Sequence, residues 1–315
     1  MPTTTQPNHL RIVLAAVAAL GFWGSAFAGT HVALGSFTPG QLALYRYGVA
    51  SLTLALLAWW LRPPLPRRQD LPRLIAIGVI GVGLYTLALN TGQQTVTAGA
   101  ASFIVNTAPL FSTVLACVML KERLGWPGWL GLVIGLAGLG LIATGEKESG
   151  VSPGALLIFG SAIAWALYQI IQKPLLPYYG PLGVVCYAIW FGTMIFFPFL
   201  PGLLNAMPVA PLPHHATAIY LGVLPGAVAF LAWSYLLSQL SVTRATPLLY
   251  LVPVVSLIIA WLVIDEHPAW QSIIGGTIAV GGVAVSRWSR SSQPSSSSPP
   301  SQPSPTTSKP QKVAP

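Results

Sequence analysis

The stretch Ser102–Leu124, SFIVNTAPLFSTVLACVMLKERL, returns 144 residues later as TPLLYLVPVVSLIIAWLVIDEHP. In ungapped register Pro109 falls on Pro253, Ser112 on Ser256, Ala116 on Ala260, Glu122 on Glu266 and Trp126 on Trp270. The same offset carries Gly131 onto Gly275 and Gly138 onto Gly282, and, run backwards, Gly78 onto Gly222, Gly81 onto Pro225 and Asn90 onto Ser234. The chain is an internal duplication, so whatever fold the first half adopts the second must adopt as well.

What that unit can be is set by its solvent. Apolar runs of about 18 to 23 residues, each the length a helix needs to cross the hydrocarbon of a bilayer, recur along the chain. There are ten, near 11–30, 40–61, 73–92, 98–120, 127–144, 153–172, 181–200, 216–238, 245–264 and 268–287. With 54% hydrophobic and only 7% charged residues, the sequence cannot clothe a soluble surface. In lipid every backbone N–H and C=O must be satisfied within the chain, and runs of this kind do so as helices. The expected fold is therefore an all-α integral membrane protein of ten transmembrane helices.

A net charge of +9 would suggest nucleic acid in a soluble protein, but here the basic residues sit in short loops and report topology. With the N-terminus inside, 13 of the 15 lysines and arginines face the cytoplasm, which predicts N-in and C-in. Each half holds five crossings, an odd number, so the second must lie upside down relative to the first as an inverted-topology repeat. The expected units are a cytoplasmic tail over 1–9, a first five-helix repeat over 10–145, an outer linker over 146–152, a second repeat over 153–288 and a Ser/Pro-rich, disordered cytoplasmic tail over 289–315. A Ser25–Gly29 segment that could pass for a signal-peptidase site is read instead as part of span one, because Trp23 there matches Trp165 of span six. Cys117 and Cys186 fall in different spans and suggest neither a disulfide framework nor a metal site.

Inside such a bundle, polar and mid-span aromatic side chains mark a path. Span three carries Thr86, Asn90, Gln93, Gln94 and Thr97. Span four carries Ser102, Asn106, Pro109 and Thr113 at intervals of four, three and four, a polar stripe that must face protein or water. Trp59, Trp60, Trp126, Trp129, Trp270 and Trp288 lie at span ends and read as an interfacial belt. Trp23, Tyr85 and Trp165 lie near span centres, where they either line a pocket or fill space. The candidate substrate-binding set is Trp23, Tyr85, Asn90, Ser102 and Asn106 from the first half, with Trp165, Tyr168, Gln169, Trp233 and Tyr250 from the second. No catalytic or metal-ligating residue and no cofactor is expected.

Pro109, Pro225 and Pro253 are hinge candidates, since a proline within a span frees a carbonyl and bends the helix, as a static kink or a moving joint. Arg46 enters span two by about seven residues and either snorkels outward or partners a substrate carboxylate or a helix C-terminus. All six acids lie in loops or at span ends, leaving no mid-membrane proton carrier and favouring facilitated diffusion or exchange, with His31 or Glu122 as weaker alternatives. Spans five and ten are rich in glycine, for close helix packing or for dimerisation.

The ordered pair of span-four-to-five blocks, the early FWGSAF at 22–27 and Arg46 in span two make the chain resemble the drug/metabolite transporter superfamily, EamA type, over about residues 10–288. The second half departs at Asp265-Glu266-His267-Pro268, where the first has Lys121-Glu122-Arg123-Leu124; opposite charge fits a loop on the opposite face. The resemblance implies a multi-pass carrier of the bacterial inner membrane, commonly an exporter of amino acids or related metabolites, with a central cavity walled by spans one, three, four, six, eight and nine. The expected activity is alternating-access transport of a small molecule, neutral or aromatic amino acids foremost, with multidrug or other hydrophobic-metabolite export as the alternative. The expected partners are that substrate and the bilayer, not nucleic acid, with the chain as a monomer or possible homodimer. An intramembrane enzyme built on Ser25 and His31 or on His214-His215, a channel, and a nontransporting receptor or scaffold are the competing classes.

Overall fold

The computed structural model describes residues 9–96, 98–144, 153–264 and 270–288. The N-terminal tail, the 146–152 linker, the Asp265–Pro268 loop and the Ser/Pro-rich tail lie outside the described residues. Within them every regular element is a helix, with no strand.

In the first half α1 spans His9–Ala33 and α2 Pro39–Leu61. Helix α2 starts sharply because Pro39 occupies the first turn and the Gln41 side-chain oxygen accepts from the Thr38 N–H at 2.9 Å. Next come α3 (Leu71–Gly92), the broken pair α4 (Ala98–Val105) and α5 (Ala108–Met119), and α6 (Trp126–Thr144). The second half repeats the order with α7 (Pro153–Gln172), α8 (Leu176–Met194), α9 (Leu212–Gln239), α10 (Leu251–Ile264) and α11 (Trp270–Trp288). Among the described residues five stretches are long and apolar enough to cross a membrane: α1, α2, α3, the continuous Pro153–Met194 segment and α9. At 42 residues Pro153–Met194 is about twice the length one crossing needs. It folds back at Gly180, whose φ of 65° suits glycine, just before Pro181. The run predicted to reach residue 200 ends as α-helix at Met194, where Pro198 and Pro201 break the backbone ladder into short turns.

The exterior is apolar: Leu52, Leu56 and Val118 are each about 70% exposed, and Trp59 and Trp60 stand 80% and 85% exposed at the end of α2. A surface of that kind belongs in lipid, with the tryptophans at its edge.

The two halves interlock by exchange. A methyl on Gly78 of α3 would stand 2.8 Å from the Gly192 nitrogen of α8, and one on Gly222 of α9 would stand 2.6 Å from the Arg46 carbonyl of α2. Each repeat thus packs its third span on the second span of the other. Along the far side α6 lies against α11, so close that Gly282 meets the backbone of Gly131 and Gly135. The glycine stripe is used within the chain for helix packing.

Candidate functional site

Two backbone irregularities, each present in both repeats, shape the centre. The first is a wide, π-type turn at Val79–Leu84 in α3 and at Gly222–Val228 in α9, the same place at the 144-residue offset. Tyr85 N donates to the Ile80 carbonyl and Ala229 N to the Leu224 carbonyl, five residues back in each case. In α9 Pro225 lacks an N–H and cannot continue an α ladder. Gly81 at the matching point lets the Tyr168 ring come so near that a β-carbon would sit 2.3 Å from it. The freed Pro225 carbonyl accepts from Trp23 Nε1 at 3.2 Å.

The second irregularity interrupts spans four and nine. Helix α4 stops at Val105 and α5 begins at Ala108, with Pro109 in its first turn. In the second half a 3-10 segment, Thr246–Tyr250, precedes α10, whose third residue is Pro253. Pro109 and Pro253 therefore open new helices after a break instead of bending a continuous one.

Between these breaks lies a central cavity, partly open to the outside. Trp23, Phe27 and Thr30 of α1, Arg46 of α2, and Tyr85, Leu89 and Gln93 of α3 form one side. Asn106 at the α4–α5 break, Trp165 of α7, Phe230 of α9, and Leu249 and Val252 at the start of span nine form the other. The wall uses the implied spans one, three, four, six, eight and nine, and adds span two through Arg46. Its floor is an aromatic cluster in which Trp23 meets Trp165 at 5.1 Å, edge to face, and both rings lie 5.7 Å from Phe230.

Four residues of the sequence-derived set, Trp23, Tyr85, Asn106 and Trp165, line this cavity together. Asn106 donates through Nδ2 to the Ser102 carbonyl at 2.7 Å. The other six lie outside the lining, in the packing around it. Trp233 backs Trp23 at 5.6 Å and Tyr168 backs Trp165 at 5.1 Å. Gln169 reaches from α7 to the Ser112 hydroxyl at 2.8 Å, and Asn90 donates to the Pro39 carbonyl at 3.2 Å. Ser102 is buried, and Tyr250 lies over Gly135 of α6. Residues that sequence reasoning did not place at the site are Phe27, Thr30, Leu89, Gln93, Phe230, Leu249 and Val252. The helical period held a signal for several: Leu89 and Gln93 follow Tyr85 by four and eight, and Phe27 and Thr30 follow Trp23 by four and seven. Asn90, five beyond Tyr85, is turned about 140° away.

Arg46 does not snorkel. It is 6% exposed, and its guanidinium stands 5.2 Å from the Tyr47 ring.

At the end of the bundle remote from Thr30 and Gln93 the structure is tied shut. The Glu122 carboxylate accepts from Val242 N at 2.9 Å and from Thr243 N at 2.8 Å. The Lys173 ammonium donates to the carbonyls of Leu237 and Leu240 at the close of α9. At the other end His214 and His215 bond to different groups, Ser36 at 2.5 Å and Tyr45 at 3.1 Å, so the pair acts as two separate struts.

A multi-pass helical bundle made of two repeats around a central cavity is the build of a membrane transporter. The EamA-like transporter family matches residues 10–144 and 152–288, and this chain belongs to that family. It is 36% identical over 273 residues to a "Probable terminal-alkyne amino-acid exporter" of Streptantibioticus cattleyicolor, covering 87% of this chain and 92% of that protein. It is 38% identical over 265 residues to the "Uncharacterized transporter YdfC" of Bacillus subtilis, covering 84% and 87%. To a "Probable amino-acid metabolite efflux pump" of Escherichia coli it is 24% identical over 285 residues, covering 85% and 93%. A crystal structure superposes with a TM-score of 0.71 at 18% identity, over 87% of this chain and 97% of the other, and shows the shared fold. The chain is a membrane-embedded transporter and not an enzyme.

Proposed function

We propose that this chain is an alternating-access exporter or exchanger of small metabolites, with neutral or aromatic amino acids as its cargo, working in the bacterial inner membrane as a monomer or homodimer. In this reading there are ten crossings, both termini are cytoplasmic and the repeats are inverted. The cavity then opens outward, and the Glu122 and Lys173 ties seal the cytoplasmic side. The observation that carries it is that Trp23 and Trp165, one from the first span of each repeat, stand ring to ring at 5.1 Å on the wall of one cavity. A site built at the junction of two similar halves is reached equally from either side when the halves rock.

The names of two relatives, an amino-acid exporter and an amino-acid metabolite efflux pump, support amino acids as the cargo. The aromatic lining favours an apolar body on that cargo. The same lining supports a second reading, export of drugs or other hydrophobic metabolites. Neither Asp70 nor Glu122, the acids among the described residues, lines the cavity, which supports exchange or facilitated flux.

Counterflow in proteoliposomes preloaded in turn with neutral, aromatic, acidic and basic amino acids tests the proposal, with Trp165→Ala and Asn106→Ala beside the wild type. Saturable uptake of neutral or aromatic amino acids, reduced in both variants, is expected. Folded wild-type protein giving no counterflow with any amino acid overturns the amino-acid reading and turns the search to hydrophobic metabolites.

A further inference from the structure

The cavity wall is aromatic and aliphatic except at a few points, and two of those points are unfinished. Arg46 and Gln93 are 6% and 4% exposed, both line the cavity, and both hold a buried polar atom without a partner: Arg46 Nε and Gln93 Oε1. No carboxylate or carbonyl among the described residues accepts from the Arg46 guanidinium. Asp70 accepts from the Tyr179 hydroxyl, and Glu122 from the amides of Val242 and Thr243. A guanidinium set at the cavity wall inside the bundle, its Nε buried and no counter-ion among the described residues, is costly, and it persists where something else brings the negative charge. Arg46 is turned inward, at the cavity wall, and its helix is packed tightly there: a methyl added to Gly222 of α9 would stand 2.6 Å from the Arg46 carbonyl.

The chemistry of the two atoms is complementary to one kind of ligand. A guanidinium presents a planar fork of donors that matches a carboxylate, and an amide oxygen accepts from an ammonium. The aromatic floor formed by Trp23, Trp165 and Phe230 takes an apolar body.

We propose that Arg46 is the anchor for a carboxylate on the cargo and Gln93 Oε1 the acceptor for its ammonium, so that the cavity selects free α-amino acids over the corresponding amines, amides and esters. This rests on the amino-acid reading above and adds the residues that enforce it. Discrimination comes from the buried guanidinium, which is left without an anion whenever a ligand lacking the carboxylate occupies the site.

The test is isothermal titration of purified wild-type, Arg46→Lys and Arg46→Gln proteins with phenylalanine, phenylalaninamide and phenethylamine, each variant's melting temperature being recorded alongside. Wild-type protein is expected to bind phenylalanine about 10- to 100-fold more tightly than the other two. In Arg46→Gln phenylalanine falls by that factor, whereas phenethylamine binds as well as before or better, because a positive charge has gone from its site. Arg46→Lys keeps part of the preference. If Arg46→Gln retains the wild-type ratio of phenylalanine to phenethylamine, or loses both ligands together, the anchor is overturned while the amino-acid reading stands. A wild type that binds phenethylamine but not phenylalanine, or binds neither, overturns the anchor, while the amino-acid reading falls only if no amino acid gives counterflow.

Discussion

Gly282 of α11 lies against Gly135 of α6 with no side chain between them: a β-carbon on Gly282 would stand 2.5 Å from the Gly135 nitrogen and 2.7 Å from the Gly131 carbonyl. Both near atoms are backbone, so neither can turn aside. Gly282→Leu is expected to push the two helices apart and cost about 1–3 kcal/mol of stability, read as a lower melting temperature in detergent. The same change leaving stability intact but altering the oligomeric state would show that this face serves a dimer instead.

Trp23 has two separable roles, a ring in the aromatic floor and an N–H on the Pro225 carbonyl. Trp23→Phe keeps much of the ring and loses the bond, worth about 1 kcal/mol. Trp23→Ala also opens a hole, at about 3–5 kcal/mol. Counterflow is expected to persist in Trp23→Phe and to vanish in Trp23→Ala.

Gln169 and Ser112 form a buried pair at 2.8 Å outside the cavity lining. Ser112→Ala leaves the glutamine amide without an acceptor and is expected to cost about 1–3 kcal/mol, whereas adding Gln169→Met to it restores most of the loss. A double-mutant cycle on melting temperatures checks this. If the double variant is folded yet no longer transports, Gln169 touches the cargo.

The Glu122 carboxylate holds two amides at the start of the Val242–Ala245 turn. Glu122→Ala removes both bonds, about 1–3 kcal/mol from the closure at that end. Cysteine placed at Leu240 in a cysteine-free background should then react faster with maleimide in Glu122→Ala than with Glu122 present.

The duplication and the helical class could be read from residue spacing, because each is a property of the order of residue types, whereas Pro109 and Pro253 read as bends within spans and turn out to lie in the first turns of new helices. The cavity was legible in part. Trp23, Tyr85 and Trp165 stood out as aromatics at mid-span, and the period of three and four from them leads to Phe27, Thr30, Leu89 and Gln93. Asn90 and Gln169 drew attention as amides in lipid, but polarity says only that a group needs a partner, and these two find theirs in neighbouring helices. For Arg46 the sequence favoured snorkelling over an inward partner, since the side chain is long enough for both and the membrane edge is near, and the structure buries it instead. What the sequence could not show was the cavity assembled from distant spans, to whose wall the side chain turns. The wide turns had no periodic signature at all: in the 144-residue register Val79 falls on Val223, but Gly81 falls on Pro225 and Gly83 on Ala227.

That last disparity bears on history. Two six- to seven-residue segments with different sequences keep the same wide turn at the same register, and the simplest lineage puts it in the ancestral gene before it doubled. An early single-repeat chain with such a turn would have met a second copy of itself. The seam between those copies is where Trp23 and Trp165 now stand.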